Sequence, residues 1–510
     1  MTDLVIGSGP SGVAVATALL ARGRQVVMLD GGKMLEPSRA DAQNTLAARP
    51  PEHWQEAERA AWQAPQYDTP AGQVRRFGSD FAVERAGATF ADAAPALALR
   101  ASRAVGGLSN LWGSALLPYT ASDMAGWPVS EADLAPHYRA IAEFMPVSGR
   151  EDDLQPLFPA LPMAGRTGLD PSPQAGVLLN RLARAANRLA GLGITAGQSR
   201  QAVAPHCKAC GMCLHGCPWG LIWRAGDAIA TLRQYPGFSY RPGAVVTTFT
   251  ETADGVTLRL AGGQTLSGAR AFIAAGVLET ARILLASQPA RKDLMLRDSQ
   301  HGFLPSIHTW RSPRRPDQGR FHTLPQAFVE LADSAISPFL VHSQIYTWNE
   351  FFARDLIASY GHRLPGSAPL WRALARRLIV SQLFLHSDHS ARVALSLSGD
   401  GRLKANIHAH PGTDAVFAAA ARGMARGLRL AGLAPLTFAR RMGAVGSSFH
   451  AGATVPMQSA PASDGSDIFG RPSGLAHVHL VDASVLPAIP ATTITLPVMA
   501  NAHRIGATAP

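Results

Sequence analysis

The sequence predicts an α/β protein that begins with a Rossmann-like unit, and two apolar runs around a glycine-rich turn carry this prediction. Residues 4–6 form the first run, the turn spans 7–12, and residues 13–21 repeat small and apolar side chains at helical spacing. Residues 26–29 form the second run, which ends at Asp30. Strand, glycine-rich turn, helix, strand and acid in this order are typical of a dinucleotide-binding fold.

Each residue of the turn has a physical role in that fold. Glycines permit a tight turn and a close approach of the backbone to a pyrophosphate, and the helix that follows directs its first amide groups at the phosphates. Asp30 stands about twenty residues after the glycines, where a carboxylate can hydrogen-bond a ribose hydroxyl. The candidate contacts in the turn are Gly7, Gly9, Pro10, Ser11 and Gly12.

A short segment in the middle of the chain holds all four of its cysteines. They are Cys207, Cys210, Cys213 and Cys217, and Pro218 follows the last of them. The spacing C-x2-C-x2-C-x3-C-P is the bacterial ferredoxin pattern. Structural zinc usually takes two separated cysteine pairs, and disulfides need an oxidising compartment, so the spacing favours an iron–sulfur cluster over both. Together with a dinucleotide site, this predicts a redox enzyme with two cofactors.

The number of iron atoms stays open at this point. A 4Fe–4S cluster completed by Cys217 is favoured, and a 3Fe–4S cluster on the first three cysteines is the alternative. His206 and His215 are further candidate ligands. The residues alone do not choose among these arrangements.

Composition narrows the class of protein. The chain has 510 residues, 47% of them apolar, which is enough for two or more packed units. No apolar run reaches the roughly 18 residues of a membrane span, and the first strand leaves no room for a leader peptide, so we expect a cytoplasmic protein unless a partner carries it elsewhere. The net charge of +11 is spread along the chain. A clustered basic stripe is missing, which argues against nucleic acid binding but leaves a peripheral membrane contact open.

The rest of the chain shows local patterns without an internal repeat. Residues 46–95 are polar and proline-interrupted, which predicts a loop-rich excursion. Residues 244–250 and 256–260 predict a β-hairpin, and residues 270–275 predict a buried strand that stops at Gly276, before a helix at 280–287. Residues 369–385 are apolar and basic, and we interpret them as a half-buried helix with a solvated basic face.

Four further segments resemble one family. They are Gly106-Gly107-Leu108-Ser109-Asn110-Leu111-Trp112-Gly113, Trp127-Pro128 with the residues up to Tyr138, Phe449-His450-Ala451-Gly452-Ala453-Thr454, and Asp482-Ala483-Ser484-Val485-Leu486-Pro487. In this order they resemble the glycine-rich flavin loop and its continuation, the catalytic-histidine motif and the C-terminal flavin signature of the glucose–methanol–choline (GMC) oxidoreductases. The pyranose oxidase and bacterial sugar dehydrogenase branch is the most similar, and the resemblance runs from residue 3 to residue 505.

The resemblance implies a Rossmann-like FAD-binding domain of GMC type beside a substrate domain with a mixed or antiparallel sheet. It assigns 1–45, 96–125, 190–300 and 440–510 to the FAD domain, with the iron–sulfur segment at 204–224, and 46–95, 126–189 and 301–439 to the substrate domain. FAD would be non-covalent, because relatives with a histidine-linked flavin carry that histidine where this chain has Leu111. Beyond the first turn and Asp30, the implied FAD contacts are Gly106, Gly107, Ser109, Asn110, Val246, Ala275, Gly276, Asp482, Ala483 and Thr493.

The resemblance also implies the catalytic groups. His450 would be the base that removes the hydroxyl proton of an alcohol, a task that suits an imidazole. The family usually has a second His or Asn eleven residues after the signature aspartate, and this chain has Thr493 there. A threonine hydroxyl can hydrogen-bond a substrate but cannot act as a base. Four other histidines, in the pairs His386 with His389 and His408 with His410, carry less weight.

Three functions follow as hypotheses. The first is a dehydrogenase that oxidises the CH–OH of a sugar or related alcohol and passes electrons through the cluster to a cytochrome, ferredoxin or quinone-linked partner. The second is a reductase of a carbonyl or C=C bond that receives electrons from ferredoxin, which the departure at Thr493 keeps open. The third is an electron-transfer subunit without alcohol chemistry, and the retention of His450 argues against it.

Overall fold

A computed structural model describes residues 2–63, 81–92, 96–311, 315–316, 319–361 and 366–510. Parts of the loop-rich excursion expected at 46–95 lie outside these ranges. The described part of that stretch contains short helices and one short strand.

Strands and α-helices both occur along the whole of the described chain. In chain order, the strands β1 to β20 are Thr2–Ile6, Gln25–Asp30, Phe90–Asp92, Ile194–Gln198, Phe238–Pro242, Val246–Thr252, Gly255–Leu260, Thr265–Gly268, Arg270–Ile273, Asp293–Asp298, His301–His308, Ala327–Leu331, Val341–Tyr346, Leu378–Phe384, Arg392–Leu397, Leu403–His408, Leu433–Pro435, Arg441–Met442, Ala451–Gly452 and Val478–Leu480. The α-helices, α1 to α13, are Pro10–Ala21, Pro37–Ala47, Glu56–Gln63, Ala86–Thr89, Glu131–Phe144, Pro173–Arg184, Ala186–Ala190, Ala225–Leu232, Val277–Ser287, Glu350–Tyr360, Ala368–Ala375, Thr413–Leu430 and Thr495–Thr508.

The N-terminal unit belongs to a parallel five-stranded sheet with strand order β20-β9-β1-β2-β5. Its central strands are almost wholly buried, as expected when helices cover both faces of a parallel sheet. Helix α1 packs closely on α13. The approach is so close that a Cβ on Gly506 would lie 2.8 Å from the carbonyl oxygen of Val15. The β-α-β unit predicted from the glycine-rich turn is confirmed.

A second layer is antiparallel. Its largest sheet has the order β17-β11-β14-β13-β12-β4, with β18 added beside β11, and every pairing in it is antiparallel. Helix α12 covers one face, where Phe417, Met424 and Leu428 join the buried core. A mixed sheet has the order β19-β10-β15-β16-β3, and β6 to β8 form an antiparallel meander. The predicted α/β class with a mixed or antiparallel second sheet is therefore confirmed.

Two segments differ from the sequence-based expectation. Residues 369–385 are not one helix: α11 ends at Ala375, and β14 occupies a central place between β11 and β13. The alternation that buries Ile379, Ser381 and Leu383 has the period of a strand, and the neighbouring strands satisfy its backbone. Strand β4 pairs with β12, so residues 194–198 lie in the antiparallel sheet, although we assigned 190–300 to the FAD domain. The division into domains otherwise stays a prediction.

Within the described ranges, none of the helices combines the length and the apolar character needed to cross a bilayer.

Candidate active site

The first glycine-rich turn is a tight cradle with one open position. A Cβ on Gly7 would meet the carbonyl oxygen of Ala274 at 2.4 Å, and one on Gly12 would meet that of Gly7 at 2.0 Å. A Cβ on Gly9, at the N-terminus of α1, would meet no atom within 4 Å. The open space lies where Ser11 and Gly12 direct amide groups that have no partner inside the helix. Backbone packing therefore accounts for two glycines, and the third leaves room for a phosphate.

Asp30 organises this cradle from the end of β2. Its Oδ2 accepts hydrogen bonds from the amide (3.0 Å) and the hydroxyl (2.6 Å) of Ser8. Its Oδ1 accepts from the Gly32 amide at 2.7 Å and from the Tyr240 hydroxyl at 3.1 Å. Four bonds use the usual accepting capacity of a carboxylate. A ribose hydroxyl would have to replace one of these donors, so the ribose contact stays a prediction.

The second glycine-rich turn lies against the first. Gly106 has a left-handed backbone (φ 83°), and its amide donates to Ser8 Oγ at 2.9 Å. A Cβ on Gly107 would lie 3.6 Å from the Cα of Gly9. The Ser109 hydroxyl donates to the Gly106 carbonyl at 2.6 Å, and the Asn110 amide donates to the Gly107 carbonyl at 2.7 Å. The side chains expected to contact FAD thus also hold the shape of the loop.

The remaining candidate cofactor residues lie in two regions, one around Asp482 and the start of helix α9 and the other at the start of β6. Asp482 Oδ2 accepts from the Thr280 hydroxyl at 2.5 Å, which ties the C-terminal signature to helix α9 just after Ala275 and Gly276. Burial raises the pKa of Asp482 above its usual range. Val246 lies elsewhere, at the start of β6 with its side chain buried and its carbonyl oxygen bonded to Arg282.

The histidine motif runs beside the C-terminal signature. The amides of Ala453, Val455 and Met457 donate to the carbonyl oxygens of residues 483, 484 and 485, each at 2.8 Å. His450 precedes this pairing, and its ring stacks on Phe384 of β14 with centroids 4.9 Å apart and an angle of 17°. The structure therefore brings His450 to the edge where the antiparallel sheet meets the signature segment.

His450 is half-buried, and its Nδ1 is enclosed without a hydrogen-bond partner among the described residues. Burial, together with the positive charge that His342 and His301 can carry, lowers the pKa of His450 to about 3. The imidazole is therefore neutral near pH 7, and it keeps a lone pair that can accept a proton.

A buried carboxylate holds the loop that carries His450. Asp298, which ends β10, accepts from the Gly446 amide at 2.7 Å and from the Ser448 hydroxyl at 3.0 Å. Ser448 Oγ in turn accepts from the His450 amide at 3.0 Å. Burial raises the pKa of Asp298 to about 7. Asp298 is thus a positioning residue for His450, and sequence reasoning missed it.

Because the pKa of Asp298 is raised in the folded protein, we expect the free energy of unfolding to fall as the pH rises. The folded protein keeps a proton on Asp298 up to about pH 7, whereas the unfolded chain loses it near the ordinary value of 3.8. Between those values the folded state binds more protons, so the free energy of unfolding decreases with pH. From pH 5 to pH 8 we expect Asp298 to contribute a decrease on the order of 2 kcal/mol. Urea unfolding of the wild type and of Asp298→Asn at both values measures it. An equal pH dependence in both proteins would contradict the assignment.

One row of side chains crosses four strands beside His450. Cross-strand register aligns Glu330 of β12, His342 of β13, Phe384 of β14 and His301 of β11. His342 Nδ1 lies 2.7 Å from Glu330 Oε1, and both side chains are within 1% of complete burial. The rings of His342 and His301 lie 5.7 and 5.4 Å from that of Phe384. The face opposite α12 therefore presents ionisable groups to the segment that carries His450.

The Thr493 hydroxyl is already hydrogen-bonded within the protein and is not free to contact a substrate. Its hydroxyl oxygen accepts from the Leu117 amide at 2.7 Å and lies 3.3 Å from the Leu117 carbonyl oxygen, to which it donates. The single hydroxyl proton is therefore engaged with the backbone. The side chain joins the C-terminal segment to the chain after the second glycine-rich turn.

The cysteine segment forms a wrapped loop between β4 and α8. Non-glycine residues His206 (φ 72°) and Ala209 (φ 49°) have left-handed backbones, as do Gly211 and Gly216. Amides approach two of the sulfurs, that of Ala209 to Cys207 at 3.4 Å and that of Thr323 to Cys213 at 3.5 Å. Burial raises the pKa of the Cys213 thiol to about 12, and neighbouring cysteines add to the effect. The Cys213 thiol is therefore neutral near pH 7 unless a cation offsets the charge of its thiolate.

All four cysteines line one small cavity, together with apolar residues such as Leu221 and Leu324. Among the described residues, no group of three or more His, Cys, Asp or Glu side chains is already arranged to hold a metal ion. The donor set, the wrapped backbone and the amide–sulfur approaches nevertheless fit a thiolate-bound cluster.

Residues of the cysteine loop and of the second glycine-rich turn also line a common cavity. Ser109, Asn110 and Trp112 line it from one side, and Cys213 and Cys217 line it from the other. The Trp112 indole donates to the Trp223 carbonyl at 2.8 Å, and Ser109 Oγ accepts from the Ala225 amide at 2.9 Å. Two motifs about a hundred residues apart in sequence are thus neighbours in space.

The other histidines lie elsewhere. His386 caps a 3₁₀ turn after β14 that ends at His389, and burial lowers the pKa of His386 to about 4. His408 ends β16 with an exposed side chain, and His410 follows it. Among the described residues these histidines do not join the row beside His450.

Glu330, His342, His301 and Asp298 are the residues near His450 that sequence reasoning missed. A signal was present for two of them. Glu330 stands between Val329 and Leu331, and His342 stands next to Val341, so each places an ionisable group in a run with strand character. Pairing of these two strands, which would bring the groups together, is not visible in the sequence.

The glycine geometry makes a paired prediction. We expect Gly12→Ala to destabilise the fold by about 1–3 kcal/mol or more, because its Cβ would lie 2.0 Å from a backbone oxygen. Gly9→Ala has free space for the methyl group, so we expect a melting temperature close to that of the wild type but a lower flavin content. Thermal melts and the ratio of flavin to protein absorbance measure both. Normal flavin content in Gly9→Ala would show that this position does not face the cofactor.

The structure is an α/β architecture in which a parallel sheet and a larger antiparallel sheet occur together. Among solved structures, the chain is similar to pyridoxine 4-oxidase from Mesorbium loti, with a TM-score of 0.61 and 15% sequence identity. The alignment covers 99% of this chain and 98% of that one. This similarity confirms the GMC-type fold expected from the motifs. Neither a protein-family model nor a curated protein sequence matches the chain.

Proposed function

We propose that this protein is an FAD-dependent dehydrogenase that oxidises the CH–OH of a sugar or related alcohol and passes the electrons through an iron–sulfur cluster to a protein or quinone acceptor. The observation that carries this proposal is the cavity shared by the second glycine-rich turn and the cysteine loop. It places the expected flavin loop next to the expected cluster ligands. The likeness in fold to pyridoxine 4-oxidase supports flavin-dependent alcohol oxidation as the reaction class.

The residues present fit an FAD molecule. The open space at Gly9 and the amides that begin α1 suit the pyrophosphate, and Gly106 to Asn110 form the wall beside it. Leu111 offers no nitrogen for a covalent link, so the cofactor is held by contacts alone. Bound FAD supplies the acceptor for the hydride that leaves the alcohol carbon.

His450 handles the proton in this proposal. Its lowered pKa keeps the imidazole neutral near pH 7, so a ring nitrogen can accept the proton of a substrate hydroxyl. Asp298 and Ser448 hold the loop that aims the ring, and Phe384 supports one ring face. The branch resemblance, rather than any contact in the site, motivates a sugar as the substrate.

The four cysteines would hold the cluster, a 4Fe–4S cluster in the favoured case. A cluster accepts single electrons, which suits a one-electron protein or quinone-linked acceptor better than oxygen. Apolar side chains line part of this cavity, and the amides of Ala209 and Thr323 approach the sulfurs of Cys207 and Cys213, where such hydrogen bonds would tune the potential of a cluster.

Anaerobic purification followed by iron and sulfide assays, absorbance and EPR spectra, and titration with alcohols tests this function. Bleaching of the flavin by an alcohol, with electrons then appearing on a cluster, is the expected result. A colourless protein without iron or flavin would contradict the proposal.

The same experiment tests one competing function. The Thr493 hydroxyl is engaged with Leu117, so the site lacks the usual second polar group at this position. That departure keeps open a reductase that receives electrons from ferredoxin. A flavin that no alcohol reduces, but that reduced ferredoxin does reduce, would establish this alternative.

A further inference from the structure

Two buried imidazole nitrogens, one on His342 and one on His450, belong to rings that pack against Phe384. His342 Nε2 and His450 Nδ1 are both buried and have no hydrogen-bond partner among the described residues. Both rings pack against Phe384, with centroids 5.7 and 4.9 Å from it. Because buried polar atoms nearly always have a partner, two unpaired nitrogens beside one ring indicate a connection between them.

The Glu330 carboxylate determines which nitrogen of His342 is the acceptor. Its Oε1 lies 2.7 Å from His342 Nδ1, so that nitrogen carries the proton and donates it. The lone pair of His342 Nε2 is then available to a donor. Asp123 and Arg200 are the other charged groups whose fields reach Glu330.

We propose that one water links His450 Nδ1–H to His342 Nε2, so that Glu330, His342 and His450 form a proton relay for the alcohol site. This inference rests on the proposed function. It fixes His450 as the tautomer protonated on Nδ1, and its Nε2 lone pair then faces the substrate hydroxyl. When the substrate O–H bond breaks, a new N–H bond forms on His450 Nε2. The step moves only a proton, and the hydride with its electron pair goes to the flavin.

The relay would compensate for two features of the site that make proton removal by His450 difficult. Burial makes a positive charge on His450 unfavourable, and a buried carboxylate two groups away offsets that charge. The second polar group expected at Thr493 is engaged with Leu117, so another side chain must assist the base. In this arrangement Glu330 and His342 are positioning residues, because they act through His450.

Nitrogen-15 NMR of histidine-labelled protein tests the relay without any turnover. In the wild type we expect the His450 signals, assigned by their loss in His450→Asn, to report the Nδ1–H tautomer. In Glu330→Gln and His342→Phe we expect a shift toward Nε2–H. The matched control is His479→Phe, because His479 is also buried with Nδ1 bonded to a carbonyl and Nε2 unpartnered, but lies in the parallel sheet. The same His450 tautomer in all these proteins would overturn the proposal.

Flavin reduction by an alcohol separates this inference from the proposed function. We expect Glu330→Gln to slow single-turnover reduction by about 10- to 100-fold while His479→Phe leaves it unchanged. An unchanged rate and tautomer in Glu330→Gln would overturn the relay and leave the dehydrogenase standing. A relay seen by NMR in a protein that no alcohol reduces would overturn the dehydrogenase and leave the relay standing. Should His342→Phe fail to fold, the near-isosteric Glu330→Gln gives the decision alone.

Discussion

We expect that replacing His450 with asparagine lowers the rate of flavin reduction by an alcohol by about 10²- to 10⁴-fold, which is the usual contribution of a general base. The asparagine fills similar space and keeps a polar group, but it cannot accept a proton. The loop is held by Asp298 through Gly446 and Ser448, so the main chain at position 450 should keep its place. Stopped-flow absorbance under anaerobic conditions measures the rate.

Two control measurements for this variant are its flavin content and its melting temperature. Flavin content and melting temperature should match the wild type, because the hydrogen bonds that hold the loop run through Asp298, Ser448 and main-chain amides rather than through the His450 side chain. We expect the loss to appear in the reduction rate rather than in substrate affinity, since proton removal belongs to the transition state. Undiminished flavin reduction in His450→Asn would reject His450 as the base and turn attention to His301 and His342.

If the cysteines hold an iron–sulfur cluster, we expect that replacing any one of the four with serine removes most of the bound iron and blocks electron transfer to the external acceptor. A serine oxygen is a harder ligand than a thiolate and holds iron–sulfur clusters poorly. The neutral state of the buried thiols means that metal binding releases protons, so cluster assembly should also weaken as the pH falls. Iron and sulfide assays after anaerobic purification measure the loss.

The cysteine variants should separate the two halves of the reaction. Cys213→Ser should keep its FAD and its reduction by alcohol, and lose only the EPR signal and the reduction of a one-electron acceptor. Pro205→Ala is the matched control, because Pro205 lies in the same segment with an exposed side chain outside the cysteine cavity, so this variant should keep its iron. Iron content that survives substitution of each cysteine in turn would reject the cluster.

Local patterns in the sequence were sufficient for the β-α-β unit, the β6–β7 hairpin and helix α9. In each of these, the residues that determine the structure are neighbours in the chain, and the spacing of apolar side chains or a glycine with a special backbone conformation identifies them. Residues 369–385 show where this reasoning fails. Their apolar and basic composition suits a helix, but β11 and β13 provide hydrogen-bond partners on both sides of residues 378–384, and the segment becomes a strand.

The sequence by itself determined the parallel nucleotide-binding unit, the two glycine-rich turns and the grouping of four cysteines, because each depends on residues close together in the chain. Only the tertiary structure decided that the second turn faces the cysteine loop, that Asp30 is saturated by protein donors, and that Thr493 bonds to Leu117. It also aligned Glu330, His342, Phe384 and His301 beside His450. The physical reason is that strand register and packing join residues far apart in sequence, and no local pattern encodes which strands will pair.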